Sequence, residues 1–441
     1  MTSRRPGSGS WRSWSGLEAA DGLELLRPRS AAEVAAEVRR VRAAGGTLKA
    51  LGTGHSFTAI ARPEGSAMLP HGMVGITSVD REAMTVTARA GTPLKVLNAQ
   101  LEALGLSLHN MGDIAEQTLA GATSTGTHGT GGRAAGLSAQ LVGLELVDGT
   151  GTLLRATPDE NPDVLDLARV GLGALGVITT VTFAVEPLFH LRATEEPMSW
   201  AEGLDRFDEL AASYDHVDMY WFPHTDRLLT KRNERVGTDP AVADPLPRWR
   251  AWLDDDLLSN TVFGAQTAVL NHAPRVIPRA NRLAARLFGP RTYTDVAHRV
   301  FTTERRVRFR EMEYAVPRAV GLDVLRECRR VIDRSGLTVS FPVEIRVAPA
   351  DDVPLSTAYE RDSLYLAFHT HHRTDHARYF ALVEQVLKDA GGRPHWGKLH
   401  TRQADGLAEL YPRFDDFLAL RDRLDPDRVF TNAYLRRVLG A

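Results

Sequence analysis

Two stretches of this chain are built almost wholly of glycine, small residues and hydroxyls. Gly52-Thr53-Gly54-His55-Ser56 follows a run, residues 47–51, that reads as a short strand. That is where a phosphate-gripping turn belongs, because glycines let a backbone close on a pyrophosphate and aim consecutive N–H groups at it. Phe57 stands where the dinucleotide fingerprint has its third glycine, and no helix signal follows, so this is not that fingerprint. Alone, the loop reads equally as a tight structural turn. The second stretch, residues 118–132, carries Thr118, Gly121, Thr125, Gly126, Thr127 and His128. Hydroxyls at this density make a poor core and a poor surface helix. They suit a backbone threaded against a large flat ligand, with hydroxyls donating to its polar edge. Together the two loops favour a nucleotide-type cofactor.

Charged side chains recur in a different pattern further on. Residues 339–347 alternate as a strand, with Phe341, Val343, Ile345 and Val347 on one face and Glu344 and Arg346 on the other, since strand side chains have a period of two. Spacing by itself favours an ordinary ion pair on a solvated face. Lys398, in His395-Trp396-Gly397-Lys398, follows a helical stretch and a Gly-Gly-Arg-Pro turn, and on position alone it is a surface cation. His369, His371 and His372 raise the question of a metal. Only His369 and His371 share a strand face, and no nearby carboxylate or cysteine has ligand spacing, so no metal is expected.

The elements that must position these residues fall into two groups. In the first half, Ser30 to Glu33 has capping-box spacing and opens a helix to Ala44. Residues 84–90, 141–147 and 177–185 read as strands, and 93–104 as a helix closed by Gly105. Beyond Pro187 the strand-like runs, 217–222, 307–316, 339–347 and 364–371, carry more aromatics and charges. A helix covers 379–390, and residues 236–247, rich in Pro, Asp and Gly, read as a loop. The boundary falls near 186–192, giving an α+β, two-domain chain: 1–188 for the cofactor and 189–441 as a mixed-sheet substrate (cap) domain. A length of 441 residues agrees with two cores.

Composition narrows the partners. Lys and Arg number 53 against 55 Asp and Glu, and no long basic run appears, so nucleic acid is not expected. No window is apolar enough for a membrane span. Arg4 and Arg5 have no apolar stretch behind them, and Cys328 is the single cysteine; both point to a cytoplasmic protein.

The loops GTGHSF (52–57) and GATSTGTHGTG (121–131), with LGALGVI (172–178), resemble the FAD-binding motifs of the vanillyl-alcohol-oxidase flavoproteins, which have a PCMH-type FAD domain. RPHWGK (393–398) and LDPDRVFTNAYLRRVLG (424–440) extend the likeness to almost the whole chain, nearest to the aldonolactone oxidoreductases. The resemblance implies a two-domain fold of that type, with a C-terminal tail from about residue 411 packing back on the FAD domain. It implies FAD contacts at Gly52, Thr53, Gly54, His55, Ser56, Asp113, Thr118, Gly121, Thr125, Gly126, Thr127, His128, Gly176 and Ile178. His55 takes the place of a histidine bonded covalently to the flavin, and a neutral imidazole is a competent nucleophile toward an activated methyl. It further implies that Glu344, Arg346, Lys398 and His369 are catalytic. Arg346 and Lys398 would stabilise a developing alkoxide while Glu344 orients a hydroxyl or takes its proton. His369, His371 and Trp396 would wall the site for a sugar lactone or polyol. The implied reaction is hydride transfer to flavin N5, from C2 of an aldono-1,4-lactone, with oxygen or another acceptor reoxidising the flavin. Alternatives are an alditol or oligosaccharide oxidase and, from another class, a flavin-binding protein or natural-product cyclase.

Overall fold

The computed structural model describes residues 8–247, 273–287, 289–303 and 307–440. The pair Arg4 and Arg5 lies outside them. The first strands are β1 (Ser8–Arg12), β2 (Ala19–Leu26), β3 (Leu48–Ala50) and β4 (Ser66–Met68), in the order β1-β2-β4-β3. β1 is antiparallel to β2, and the other pairings are parallel. The helix Ala31–Ala43 covers this sheet. Ser30 caps it by accepting from Glu33 N at 3.2 Å, and Glu33 accepts from Arg29 N at 2.8 Å, which satisfies N–H groups a helix start leaves open. Val34, Val38 and Val41 recur at helical spacing and pack on Leu26, Leu48 and Met68.

A second, wholly antiparallel sheet holds β5 (Ile76–Asp80), β6 (Thr85–Arg89), β8 (Leu141–Val147), β9 (Leu153–Ala156) and β10 (Val177–Ala184), in the order β5-β6-β10-β8-β9. β7 (Leu106–Ser107) pairs with β11 (Glu186–Pro187). The helices Leu94–Ala103, Leu119–Ser124 and Pro162–Ala168 feed the core beneath this sheet with Leu97, Leu101, Leu119 and Leu165.

Among the described residues from 190 on, all strands join one eight-stranded sheet: β12 (His190–Ser199), β13 (His216–Trp221), β14 (Arg227–Gly237), β15 (Arg291–Val296), β16 (Phe309–Pro317), β17 (Val343–Ala348), β18 (Ser363–His371) and β19 (Arg393–Pro394). Its order is β15-β12-β14-β13-β17-β18-β16-β19, and every ladder is antiparallel. The sheet is therefore not mixed, as the sequence suggested. The helix-bearing links from β12 to β13 and from β16 to β17 do join parallel strands, but an antiparallel strand lies between each pair. This is the split arrangement. Strands that are consecutive in sequence and parallel are thus kept apart, and every neighbouring pair is antiparallel.

The helices Arg318–Ser335 and Ala377–Asp389 bury Leu325, Ile332, Phe380 and Val383 against one sheet face, where they meet Val343, Ile345, Val347, Leu364 and Leu366. β17 begins at Val343, four residues later than the alternation suggested. Phe341 leaves the strand and packs instead with Phe57 and Phe309. β14 also runs into the stretch read as a loop, ending at Gly237. The chain's end returns to the first sheet, where Leu48 N donates to Val429 O at 2.8 Å. Asn432 Nδ2 donates to the carbonyls of Ala59, Ile60 and Arg62 at 3.0 to 3.1 Å.

Candidate active site

Loop 52–56 leaves the end of β3 and lies against the start of the helix Leu119–Ser124. A side chain at Gly52 would meet Thr118 Oγ1 at 2.7 Å with Gly121 Cα just beyond, and Gly54 has φ +75°; this crossing needs glycine. Thr118 caps the helix by accepting from Gly121 N at 3.3 Å. Several hydroxyls of the second loop are spent inside the protein. Thr125 donates to Gly121 O at 3.0 Å, and Thr127 accepts from Gln117 Nε2 at 3.1 Å. The threonine density thus serves the loop's own shape, a use the sequence reading did not foresee. The third motif closes on the other two: Leu172 N donates to Ser124 O at 3.0 Å, and Gly176 packs on the Val147 carbonyl beside Ile178 at the start of β10. Thr53 stays exposed. His55 stacks on Trp14 at 5.5 Å, and its Nδ1 is buried without a hydrogen-bond partner. Burial pushes the His55 pKa below the ordinary histidine value, with Glu116 opposing and Lys398 assisting, so the ring is neutral.

The turn 395–398 docks on this loop. Phe57 N donates to Gly397 O at 2.7 Å, Thr58 Oγ1 donates to Trp396 O at 3.1 Å, and Lys398 Nζ stands 5.1 Å from the Phe57 ring centre. The second loop is stitched to β17: Gly131 N donates to Val347 O at 2.8 Å, and Val347 N donates to Thr130 Oγ1 at 3.2 Å. Both glycine loops therefore face the sheet side opposite its helices.

That side carries the charges. Glu344 and Arg346 are not solvated; their side chains are 10% and 12% exposed. Arg346 Nε donates to Asp218 Oδ1 at 2.9 Å from the neighbouring strand, and its Nη2 lies 2.7 Å from Glu344 Oε1. The second approach is off the line a hydrogen bond requires, so Glu344 Oε1 has no directed donor. Burial, aided by Glu344, pushes the Asp218 pKa up to about 6 against the pull of Arg346. Tyr220 pairs in register with Glu344, and Lys231 with Asp218. Lys231 donates to Val300 O at 2.7 Å. Asp113 adds its field to Arg346, Tyr220 and Lys231, which places it by the charged row of this sheet.

β16 contributes two buried carboxylates on the same side. Glu311 pairs with Lys398 and lies 3.4 Å from His369 Nε2. Burial opposes its ionisation, but Lys398 and His369 outweigh that and hold its pKa at about 2. Glu313 lies 3.3 Å from His128 Nε2, while His128 Nδ1 lies 2.9 Å from Gly129 O. The ring stacks on Tyr365 at 3.7 Å. His395 Nδ1 accepts from Gly397 N at 3.0 Å, and burial pushes its pKa down to about 3, so its single proton is on Nε2. The ligand atoms of His128, Glu313 and His395 lie within 4.8 Å of one another. The three form one buried cluster, in which His395 Nδ1 is already engaged by Gly397 N.

The structure thus brings together Glu344, Arg346, Lys398 and His369 on one sheet face. Trp396 does not join them: it is fully buried, donates to Leu355 O at 2.8 Å and stacks on Tyr411. His371 turns to its neighbours, accepting from Arg373 N at 3.3 Å and packing on His372. The sequence reading passed over Asp218, Tyr220, Lys231, Glu311 and Glu313. The available signal was a pair of acids, Glu311 and Glu313, two apart in a strand whose other charged residue is Arg310, and a lone Asp218 in another.

Comparisons with known proteins agree with this geometry. Residues 181–438 match the family model of D-arabinono-1,4-lactone oxidase, and residues 23–157 match that of an FAD binding domain. L-gulono-1,4-lactone dehydrogenase of Mycobacterium tuberculosis is 41% identical over 430 residues, covering 98% of this chain and 99% of the relative. L-gulonolactone oxidase of Bos taurus is 32% identical, covering 94% of each chain. Among solved structures, cholesterol oxidase from B. sterolicum superposes with a TM-score of 0.82 at 16% identity over 98% of this chain and 97% of that one, a likeness of fold. With an FAD-binding segment ahead of a match covering more than half its length, the chain belongs to the D-arabinono-1,4-lactone oxidase family.

Proposed function

We propose that this protein is an FAD-dependent oxidoreductase that oxidises the C2 hydroxyl of an aldono-1,4-lactone, with the flavin held by loops 52–56 and 118–128 and tethered through His55. The observation that carries this reading is the convergence of Arg346, Glu344, Lys398 and His369 from three segments on one buried face beside the glycine loops. FAD supplies the hydride acceptor. The chain's own residues handle the proton and the charge. Glu344 Oε1, lacking a directed donor, orients the reacting hydroxyl and accepts its proton. Arg346, held through Nε by Asp218 and beside Glu344 at Nη2, turns its remaining N–H groups to the developing oxyanion, and Lys398 adds a second positive charge. A lactone suits two cations, because its ring carbonyl makes C2 more acidic and spreads the charge that builds there.

The tether at His55 is supported by its orphaned, buried Nδ1 and its burial-lowered basicity, which leave a free lone pair on a neutral ring. Flavin fluorescence on a denaturing gel tests it: a band in the wild type and none in His55→Ala. A wild-type protein that gives up all its colour to acid defeats the tether and leaves FAD binding standing. The substrate is tested with an artificial dye as acceptor. The expected result is a higher kcat/KM for L-gulono- or L-galactono-1,4-lactone than for xylitol or sorbitol. A tenfold preference for either polyol would transfer the assignment to alditol oxidation.

A further inference from the structure

Glu311 has no part in the scheme above, yet it joins two of that scheme's residues. It stands on β16 in register with His369 on β18, and its side chain is 6% exposed. One carboxylate oxygen pairs with Lys398 Nζ, and the other lies 3.4 Å from His369 Nε2. The backbone delivers both groups to it. His395 N donates to Glu313 O at 3.0 Å and Leu399 N to Glu311 O at 2.9 Å, so the turn runs along the edge of β16 and presents Lys398 on the carboxylate's side. Among the described residues Glu311 is the sole ion-pair partner of Lys398. A lysine ends in three rotatable donors on a flexible stem and has no orientation of its own. His369 is held from behind, where its Nδ1 faces Pro342 O at 3.2 Å.

We propose that Glu311 is the positioning residue of this site, itself anchored on the His369 ring through one oxygen and fixing the Lys398 ammonium through the other, so that the remaining Lys398 N–H donors address the substrate oxygen. The proposal rests on the reading of Lys398 as a substrate contact. Glu311 itself does not touch substrate, since its two oxygens are spent on Nζ and Nε2. Asp218 serves Arg346 in the same manner one row away, by binding Nε while Nη2 lies beside Glu344.

The test is single-turnover flavin reduction by L-gulono-1,4-lactone in the flavin-loaded protein, with bound-flavin absorbance and Tm recorded for each variant. Glu311→Gln keeps the shape and an acceptor but removes the charge; Glu311→Asp keeps the charge one methylene further back. Glu311→Gln should slow reduction roughly ten- to a hundredfold, the range usual for residues that orient other functional groups. Glu311→Asp should recover part of that loss. The double variant Glu311→Gln/Lys398→Met should be no slower than Lys398→Met alone, because residues acting as a unit lose the same interaction once. Losses that multiply in the double variant, or wild-type reduction in Glu311→Gln, overturn the proposal and leave the role of Lys398 intact. Wild-type reduction in Lys398→Met removes the underlying reading, and the proposal with it. If Glu311→Gln fails to hold flavin, the same cycle runs on Glu311→Asp, whose loss must likewise vanish in the Lys398→Met background.

Discussion

Arg346 shows most clearly what a single residue contributes. Its planar fork is used from two sides, by Asp218 at Nε and beside Glu344 at Nη2. Arg346→Ala should cost about 2.7–4 kcal/mol in the transition state, roughly a hundred- to a thousandfold in the rate of flavin reduction. Arg346→Lys should lose nearly as much, because an ammonium cannot bind Asp218 and substrate from separate edges. Stopped-flow reduction with bound flavin retained checks both; a lysine variant within threefold of wild type would show that charge alone suffices. The alternation of residues 339–347 made the shared face of Glu344 and Arg346 legible in the sequence. It could not show that the face is buried. Asp218 and Glu311, the acids that hold Arg346 and Lys398, come from strands far away in sequence, and no local pattern links them to their partners.

Secondary elements have their own dependence on distant partners. Asn432 caps the helix Ala433–Leu439 by accepting from Leu435 N at 2.9 Å, and its Nδ2 serves the carbonyls of Ala59, Ile60 and Arg62. Asn432→Ala removes the cap and strips a buried turn of its donor, so a loss of about 2–4 kcal/mol is expected. Thermal unfolding monitored by flavin release measures it, and an unchanged midpoint would show that this clamp does not hold the chain's end. The helix Ala31–Ala43 was readable because its cap and its apolar spacing are local. β17 was read four residues too long because Val339 and Phe341 continue the alternation while packing elsewhere. Apolar residues at period two mark burial, and burial does not require a ladder.

Across the whole molecule, acid stability should depend on carboxylates that tie the sheets together. Glu186, between the two halves, accepts from Arg235 at 2.6 and 2.7 Å and lies 3.0 Å from His109 Nδ1. Burial opposes its ionisation, but these partners hold its pKa at about 2, against an ordinary 4.5. A carboxylate with a lowered folded pKa contributes its full stability above pH 4.5 and loses it as pH falls toward 2. Glu311, also held at about 2, acts in the same window. Asp218, raised from 3.8 to about 6, has the opposite sign: its cost is absent below pH 3.8, grows up to pH 6 and is constant above. Glu186→Gln should therefore lower Tm at pH 7 and narrow the gap to wild type as pH falls from 4.5. A gap independent of pH would assign the loss to packing.

By itself the sequence determined the α+β class and the FAD-binding family, because glycine loops, strand alternation and the HWGK turn are written in contiguous residues. Tertiary structure alone decided which charges meet. The split connections place β18 between β16 and β17, which sets Glu311 against His369, while the pairing of β13 with β17 sets Asp218 against Arg346 and the turn along β16 brings up Lys398. It also decided that Trp396 serves the core and that His128 stands between Gly129 O and Glu313. Contacts between neighbouring strands follow from sheet order and register. Those are fixed by which apolar faces bury together over the whole chain.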